Sequence, residues 1–266
     1  MKALNMQAPP PNDLIQQWRD DLMTALGFLT RLPVTTPEHQ DMARMPYALR
    51  LSPAVGAFVG AFAGSFYWLA LSFGFSTFIA ASIGIIAAAI LTGGLHEDAL
   101  SDMVDGLSGG WTRERRLEIM SDGRIGAHGA LALILALLLR VGSIAQLGSA
   151  DRVMAALIAA GALSRGIMYV AMAILPYARQ TGLAHDVGRP GMQQAVTALG
   201  LGFGIGWLAL PFGTILAAFL GACAGGVLVT HMAKRHIGGQ TGDVLGAVQQ
   251  ISELVALLIL AALLTL

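Results

Sequence analysis

Charge is what this chain has least of: Asp, Glu, Lys and Arg make up 12% of its 266 residues, against roughly 25% in an ordinary soluble domain. With 55% hydrophobic residues and a mean hydropathy of +0.67, the composition argues against a soluble globule. Neither sign of charge dominates, since Lys+Arg and Asp+Glu stand at 16 each. No global basic field draws nucleic acid, and any electrostatics that matter must be local. Cysteine is nearly absent. The single one, Cys223, excludes both a disulfide framework and a cysteine zinc site, and its apolar surroundings suit a small core residue. A cleavable signal pattern is also missing from the first 50 residues. Pro9-Pro10-Pro11 and then Arg19, Asp20 and Asp21 interrupt any apolar core there, so the membrane segments themselves are expected to direct insertion.

Long apolar runs are plentiful. Stretches near the ~20 residues that cross hydrocarbon occur at about 54–73, 77–95, 127–147, 153–175, 194–209, 212–233 and 244–266. The expected fold is therefore all-α, a polytopic transmembrane bundle of about seven spans. The stretch 194–209 is short, glycine-rich and separated from its successor by little more than Pro211, so 194–233 also reads as a broken or tilted pair. Before the first span, Leu14, Trp18, Leu22, Ala25 and Leu29 recur at helical spacing, with Gln16, Gln17 and Asp20 opposite and Asp21 at the border. That pattern suits an amphipathic helix in the interface plane; a partial eighth span is the alternative. The chain divides into residues 1–52, a tail plus interfacial helix, and residues 53–266, one transmembrane catalytic domain.

Orientation follows from the basic residues. With a cytoplasmic N-terminus, thirteen of the sixteen Lys and Arg fall on that side and only Arg152 on the other, while Arg140 and Arg165 lie within spans. The long polar loops 96–126, 176–193 and 234–243 then all face the cytoplasm. A multi-pass protein of a bacterial inner membrane, with its working parts on the cytoplasmic side, is the expectation.

Seven of the 16 acidic residues fall between positions 97 and 122: Glu97, Asp98, Asp102, Asp105, Glu114, Glu118 and Asp122. The spacing of Asp98, Asp102 and Asp105 places three carboxylates on one face of a continuous helix. Their mutual repulsion is ordinarily relieved by a divalent cation with hard oxygen ligands, magnesium being the natural candidate. A merely solvated acidic loop gives no reason for such one-face spacing at the end of a span. Downstream, Asp122 can return to the metal, and Arg124 offers a donor fork matched to phosphate oxygens.

A second constellation, Lys234-Arg235-His236-Ile237-Gly238-Gly239-Gln240-Thr241-Gly242-Asp243, reads as an anion cradle leading into the last helix. Asp243 is either that helix's N-terminal cap or a functional ligand. Glu253, two to three turns further along, is a functional candidate because a carboxylate inside a span is costly. For Arg140 and Arg165 two readings stay open: a buried ion pair with these carboxylates, or direct contact with a substrate phosphate.

On these residues the chain resembles the cobalamin-5′-phosphate synthases, or adenosylcobinamide-GDP ribazoletransferases. The resemblance runs almost end to end. It is carried by Phe28-Leu29-Thr30-Arg31-Leu32-Pro33; by Gly94-Leu95-His96-Glu97-Asp98 with Asp102 and Asp105-Gly106; by Glu118-Ile119-Met120-Ser121-Asp122 with Arg124-Ile125-Gly126; and by Gly238-Gly239-Gln240-Thr241-Gly242-Asp243 with Gly246-Ala247. Ala99 stands where the family usually has glycine, and Gly123 where serine is common, which removes a hydroxyl beside Asp122.

The resemblance implies a magnesium-dependent transfer in which a ribose hydroxyl of α-ribazole, or of its 5′-phosphate, attacks the phosphorus on the corrinoid arm of adenosylcobinamide-GDP and releases GMP. Asp98, Asp102, Asp105 and Asp122, with Glu97 beside them, would hold the metal, and Asp122 or Asp105 would take the proton. Arg124, Arg165, Lys234, Arg235, Gly239, Thr241 and Asp243 would bind substrate. The expected partners are those two substrates and the lipid bilayer, with association into a homo-oligomer left open.

Two rival readings differ in pattern. Asp102-x-x-Asp105-Gly106 is similar to the start of the CDP-alcohol phosphotransferase motif, but Gly109-Gly110 replaces its Ala-Arg pair, and Gly126 stands where a further aspartate is required. A cation or solute transporter would need polar access from both sides, whereas nearly all polar residues here open on one.

Overall fold

The computed structural model describes residues 14–34 and 44–265. The proline-rich tail therefore lies outside the described residues. Twelve α-helices account for the described architecture: α1 Leu14–Leu29, α2 Met45–Ala48, α3 Ser52–Ser72, α4 Thr77–Thr92, α5 Leu95–Gly109, α6 Arg113–Ile119, α7 Ala127–Leu147, α8 Ala150–Ile174, α9 Leu183–Val187, α10 Met192–Ala209, α11 Phe212–Ile237 and α12 Gly242–Leu264. A 3-10 turn, Leu49–Leu51, joins α2 to α3. The only bridge among the described residues pairs Tyr177 with Gln240.

All seven apolar stretches are helical, but they are not equivalent. Five helices are long and apolar enough to cross a membrane: Met45–Ser72, α7, α8, α11 and α12. A sixth crossing exists only if α4 and α5 count together across the 89° bend between them. Helix α10 falls short because glycines and polar residues dilute its 18 residues. The chain is thus an all-helical, multi-pass membrane protein with five to six spans by length and composition. Leu131, Ile134, Leu135 and Leu138 of α7, and Leu216, Leu220, Val227 and Leu228 of α11, are exposed on the bundle's outside. Such belts are stable only against lipid.

Helix α8 is the centre: 83% of its apolar window is buried, against 33% for α7 and for α11. It packs against α3, α10, α11 and α12. Small residues allow this closeness. A Cβ on Gly56 of α3 would lie 2.0 Å from the carbonyl oxygen of Gly161 on α8, and one on Gly60 2.2 Å from that of Leu157. Backbone meets backbone there, and any side chain would part the helices.

The α4–α5 corner has a local cause as well. Gly93 and Gly94 both take φ of +68°, a conformation open to glycine at little cost. Two successive left-handed residues end α4, swing the chain through the right angle and start α5. That corner delivers the aspartate face to the rim.

Helix α1 corrects one detail of the helical pattern. Asp21 is buried, together with Thr24, Ala25 and Leu29, whereas Leu14, Ile15 and Trp18 are exposed. The burial is compensated by Arg50 at 2.8 Å and Arg44 at 3.1 Å, and the Arg50 guanidinium also stacks over Trp18 and Tyr47.

Gly60→Leu is expected to lower the melting temperature in detergent by about 5 °C or more through overpacking of the α3–α8 contact. Gly204→Ala, at a position with open space around it, should leave it unchanged or slightly raised.

Candidate active site

The aspartates of α5 have separate fates. Asp98 is exposed and Asp102 half-buried, but Asp105 is buried, its oxygens accepting the backbone N–H groups of Gly126 at 2.7 Å and Gly129 at 2.8 Å. Those donors are the unsatisfied amides at the start of α7, which attract an anion. Asp105 thereby pins α7 and the loop before it onto α5. Asp122, in that loop, is exposed and accepts the Arg124 N–H at 2.9 Å.

Glu97 points the other way. It meets Arg140 of α7 at 3.0 Å and accepts from Gln250 Nε2 at 3.1 Å. Arg140 also pairs with Glu253 of α12 at 2.7 Å, and Arg165 of α8 stands 3.6 Å from the same carboxylate. Gln249 bridges Ser164 at 3.1 Å and Glu253. Of the two readings left open for the intramembrane arginines, the buried ion pair is the one observed. Arg165, expected to touch substrate, is 2% exposed within this network. Glu97 Oε2, Arg140 Nε, Arg165 Nε and Gln249 Oε1 have no protein partner. Their residues line a cavity of about 20 Å³, the size that one buried water fills.

The 238–243 segment is stitched to the turn after α8. Gln240 N–H donates to the Pro176 carbonyl at 2.8 Å, and Ala178 N–H to the Gln240 carbonyl at 2.9 Å. The Gln240 side chain donates to the carbonyls of Met172 and Leu175 that end α8. On sequence grounds Gln240 has no assigned role; a long amide side chain set between Gly239 and Thr241 is the signal that could have marked it. Gly239 lies so close to Pro176 that a Cβ would come within 2.1 Å of its carbonyl oxygen. Thr241, not Asp243, caps α12, accepting the Val244 N–H at 3.3 Å. Asp243 is left to face a cavity, held by Thr241 Oγ1 at 3.0 Å and Arg179 at 3.6 Å.

The basic residues also divide. Arg113 Nε donates to the Ile237 carbonyl and Arg116 to that of His236, so both clamp the C-terminal end of α11, where cations are favoured. Lys234, Arg235 and Arg124 stay exposed.

Asp98 and Asp243, from α5 and α12, line one cavity with Arg179. Among the described residues no three His, Cys, Asp or Glu side chains are drawn onto one point as a metal set. The donor chemistry nevertheless suits a hard cation. Asp102 lies outside the five spanning helices, and its carboxyl is pushed up to about 6, first by burial and then by Asp98, Asp243, Asp105 and Asp122. Those four charges are all negative, so the cluster carries repulsion that a divalent ion would relieve.

A membrane-embedded helical bundle with clustered carboxylates and arginines at one end has the architecture of an integral-membrane transferase. Likeness to known proteins shows the family. The family model described as "Cobalamin-5-phosphate synthase" matches residues 21–261, and the chain belongs to that family. It is 37% identical over 253 residues to the adenosylcobinamide-GDP ribazoletransferase of Bradyrhizobium diazoefficiens, covering 95% of this chain and 97% of the relative. The Mesorhizobium japonicum enzyme of the same name is 37% identical, with 97% of each chain covered. That of Allorhizobium ampelinum is 40% identical over 90% of this chain and 95% of its own. No solved structure matches.

Two stability measurements separate the roles. Arg140→Met removes the ion-pair partner of Glu97 and the nearer of the two partners of Glu253 and should cost about 3 kcal/mol, read as a large fall in melting temperature. Asp102→Asn should do the opposite without metal. A carboxyl whose folded pKa, about 6, exceeds the ordinary 3.8 destabilises the fold fully above the higher value and not at all below the lower. The variant should therefore melt on the order of 1–2 °C higher at pH 7.5, a gain that disappears as pH falls through that window.

Proposed function

We propose that this chain joins α-ribazole, or its 5′-phosphate, to adenosylcobinamide-GDP with release of GMP. The observation that carries the reading is the near-complete coverage of relatives named for this reaction, joined to a cavity lined by Asp98, Asp243 and Arg179. A ribose hydroxyl oxygen forms a bond to the phosphorus on the corrinoid arm, the bond from that phosphorus to the bridging oxygen of the diphosphate breaks, and GMP leaves. Catalysis in such transfers is mainly positioning and charge neutralisation.

Asp98, Asp102, Asp122 and Asp243 would hold Mg²⁺, which when bound supplies positive charge against the diphosphate oxygens. Asp122, exposed in the loop before α7, takes the attacking hydroxyl's proton. Arg124 and Arg179 offer forked donors to phosphate oxygens. Lys234 and Arg235 add positive potential at the rim for the anionic nucleotide. Asp105 and Glu97, named with the metal ligands on sequence grounds, act here as positioning residues, since Asp105 is engaged by α7 amides and Glu97 by Arg140. Gly239, Thr241 and Arg165 shape the site by packing, capping and ion pairing.

We further propose a bacterial inner-membrane orientation with the N-terminus and this site cytoplasmic, and seven membrane segments, α10 and α4 being the two short ones. Two segments between successive loops, α7 with α8 and α10 with α11, keep the loops 96–126, 176–193 and 234–243 on one side. Exposed aromatics support the assignment: Trp68, Phe73, Phe75 and Phe78 around the α3–α4 turn and Trp207 and Phe212 around the α10–α11 turn would form the belt of the far interface. The exposed Leu14, Ile15 and Trp18 would seat α1 in the near one.

Protein reconstituted with Mg²⁺ should release GMP from adenosylcobinamide-GDP only when α-ribazole or its phosphate is present. Asp102→Asn should cut that rate at least about a hundredfold with no loss of melting temperature, and chelation should abolish it. Release of CMP from a CDP-alcohol instead, or ion flux into proteoliposomes without nucleotide chemistry, would overturn the assignment.

A further inference from the structure

The protein holds two chambers that touch at one carboxylate. The first, about 270 Å³, is enclosed by α1, the 3-10 turn, α5, α8, α9 and the start of α12. The second is a broader and more open space of about 670 Å³ between the end of α1, the Gly93–Gly94 corner and α7. Phe28, Leu95 and Asp98 belong to both. A reaction that joins two substrates needs two binding volumes meeting where the new bond forms, and Asp98 marks that meeting point.

The chambers differ in size and chemistry. The first is near the lower end of the ~300–1,000 Å³ of small-molecule pockets. A bicyclic aromatic base with its sugar fits that volume, whereas a corrin macrocycle does not. Its lining is largely apolar, including Leu29, Met168, Met172, Leu183 and Val187, and its charged groups are Asp98, Asp243 and Arg179. Met168 and Met172 are one helical turn apart on α8, and unbranched thioethers adapt to the flat face of an aromatic ring. The second chamber presents the exposed Arg31 and three glycines, Gly27, Gly93 and Gly94, a wall with a forked donor and little side-chain bulk, suited to a large anionic partner.

Resting on the ribazole-transfer reading, we propose that the first chamber is the nucleoside site. The apolar benzimidazole-type base lies against Met168, Met172, Leu183 and Val187, and the ribose points its hydroxyls toward Asp98 and Asp243. The nucleotidyl corrinoid approaches from the second chamber. Base selection is therefore made by the packing of α8 and α9 and is independent of corrinoid binding.

Two substitutions of opposite effect test this with the whole protein in nanodiscs. Ala184, buried on α9 in the chamber wall, is changed to Phe to fill it, and Met172→Ala enlarges it. The α-ribosides of benzimidazole, dimethylbenzimidazole and naphthimidazole serve as probes. Ala184→Phe should raise KM for the dimethylbenzimidazole riboside by about tenfold or more, and less for benzimidazole, with KM for adenosylcobinamide-GDP within about twofold. Met172→Ala should shift preference toward the naphthimidazole riboside, and it carries the test alone if Ala184→Phe fails to fold. An unchanged order of base preference in the folded variants, or a rise confined to the KM for the corrinoid, overturns the proposal. Failure of the underlying reading shows separately, as absence of GMP release from the unsubstituted protein.

Discussion

Arg140 is the residue on which the working end of the molecule depends. The residue is 5% exposed, and its guanidinium meets carboxylates from two other helices, Glu97 of α5 and Glu253 of α12. Charges in such surroundings carry a large desolvation cost that only close pairing and hydrogen bonding offset. The arrangement is therefore specific: α5, α7 and α12 have one relative placement in which Arg140 meets both carboxylates. Because α5 brings Asp98 and Asp102 and α12 brings Asp243, the internal ion pair sets the spacing of the outward carboxylates. Asp105 repeats the logic at the rim by binding the amides that begin α7.

Neighbouring carboxylates on α5 thus do opposite work. Glu97 and Asp98 are adjacent in sequence, yet one turns inward to an arginine and the other lines two chambers. A helix rotates by about 100° per residue, so consecutive side chains cannot share a direction. The acidic run is a structural face and a chemical face wound around the same helix. The 238–243 segment is built likewise, with Gln240 and Thr241 fastening helix ends while Asp243 faces the cavity.

The membrane constrains everything else. Small residues let α8 sit at the centre against α3, since lipid supplies no hydrophobic force to drive helices together and close backbone packing takes over. Lipid-facing α7 and α11 keep large aliphatic side chains outside. The two left-handed glycines between α4 and α5 turn the chain at the rim, so that Glu97 of α5 reaches Arg140 without facing hydrocarbon.

Much was legible in the residues alone. Apolar length located every long helix, the scarcity of charge fixed the solvent as lipid, and the clustering of Asp98, Asp102, Asp105 and Asp122 with the Gly-Gly-x-Thr-Gly-Asp segment marked the working end and the family. These are local properties, readable from periodicity and composition. Tertiary structure decided what each polar residue pairs with: Asp105 with amides 21 and 24 residues away, Arg165 with Glu253, Gln240 with the end of α8. It also decided that Asp21 is buried. The reason is physical. A side chain's propensity and polarity act within a few residues, whereas its partner is chosen by which helices meet, and that depends on packing summed over the whole chain.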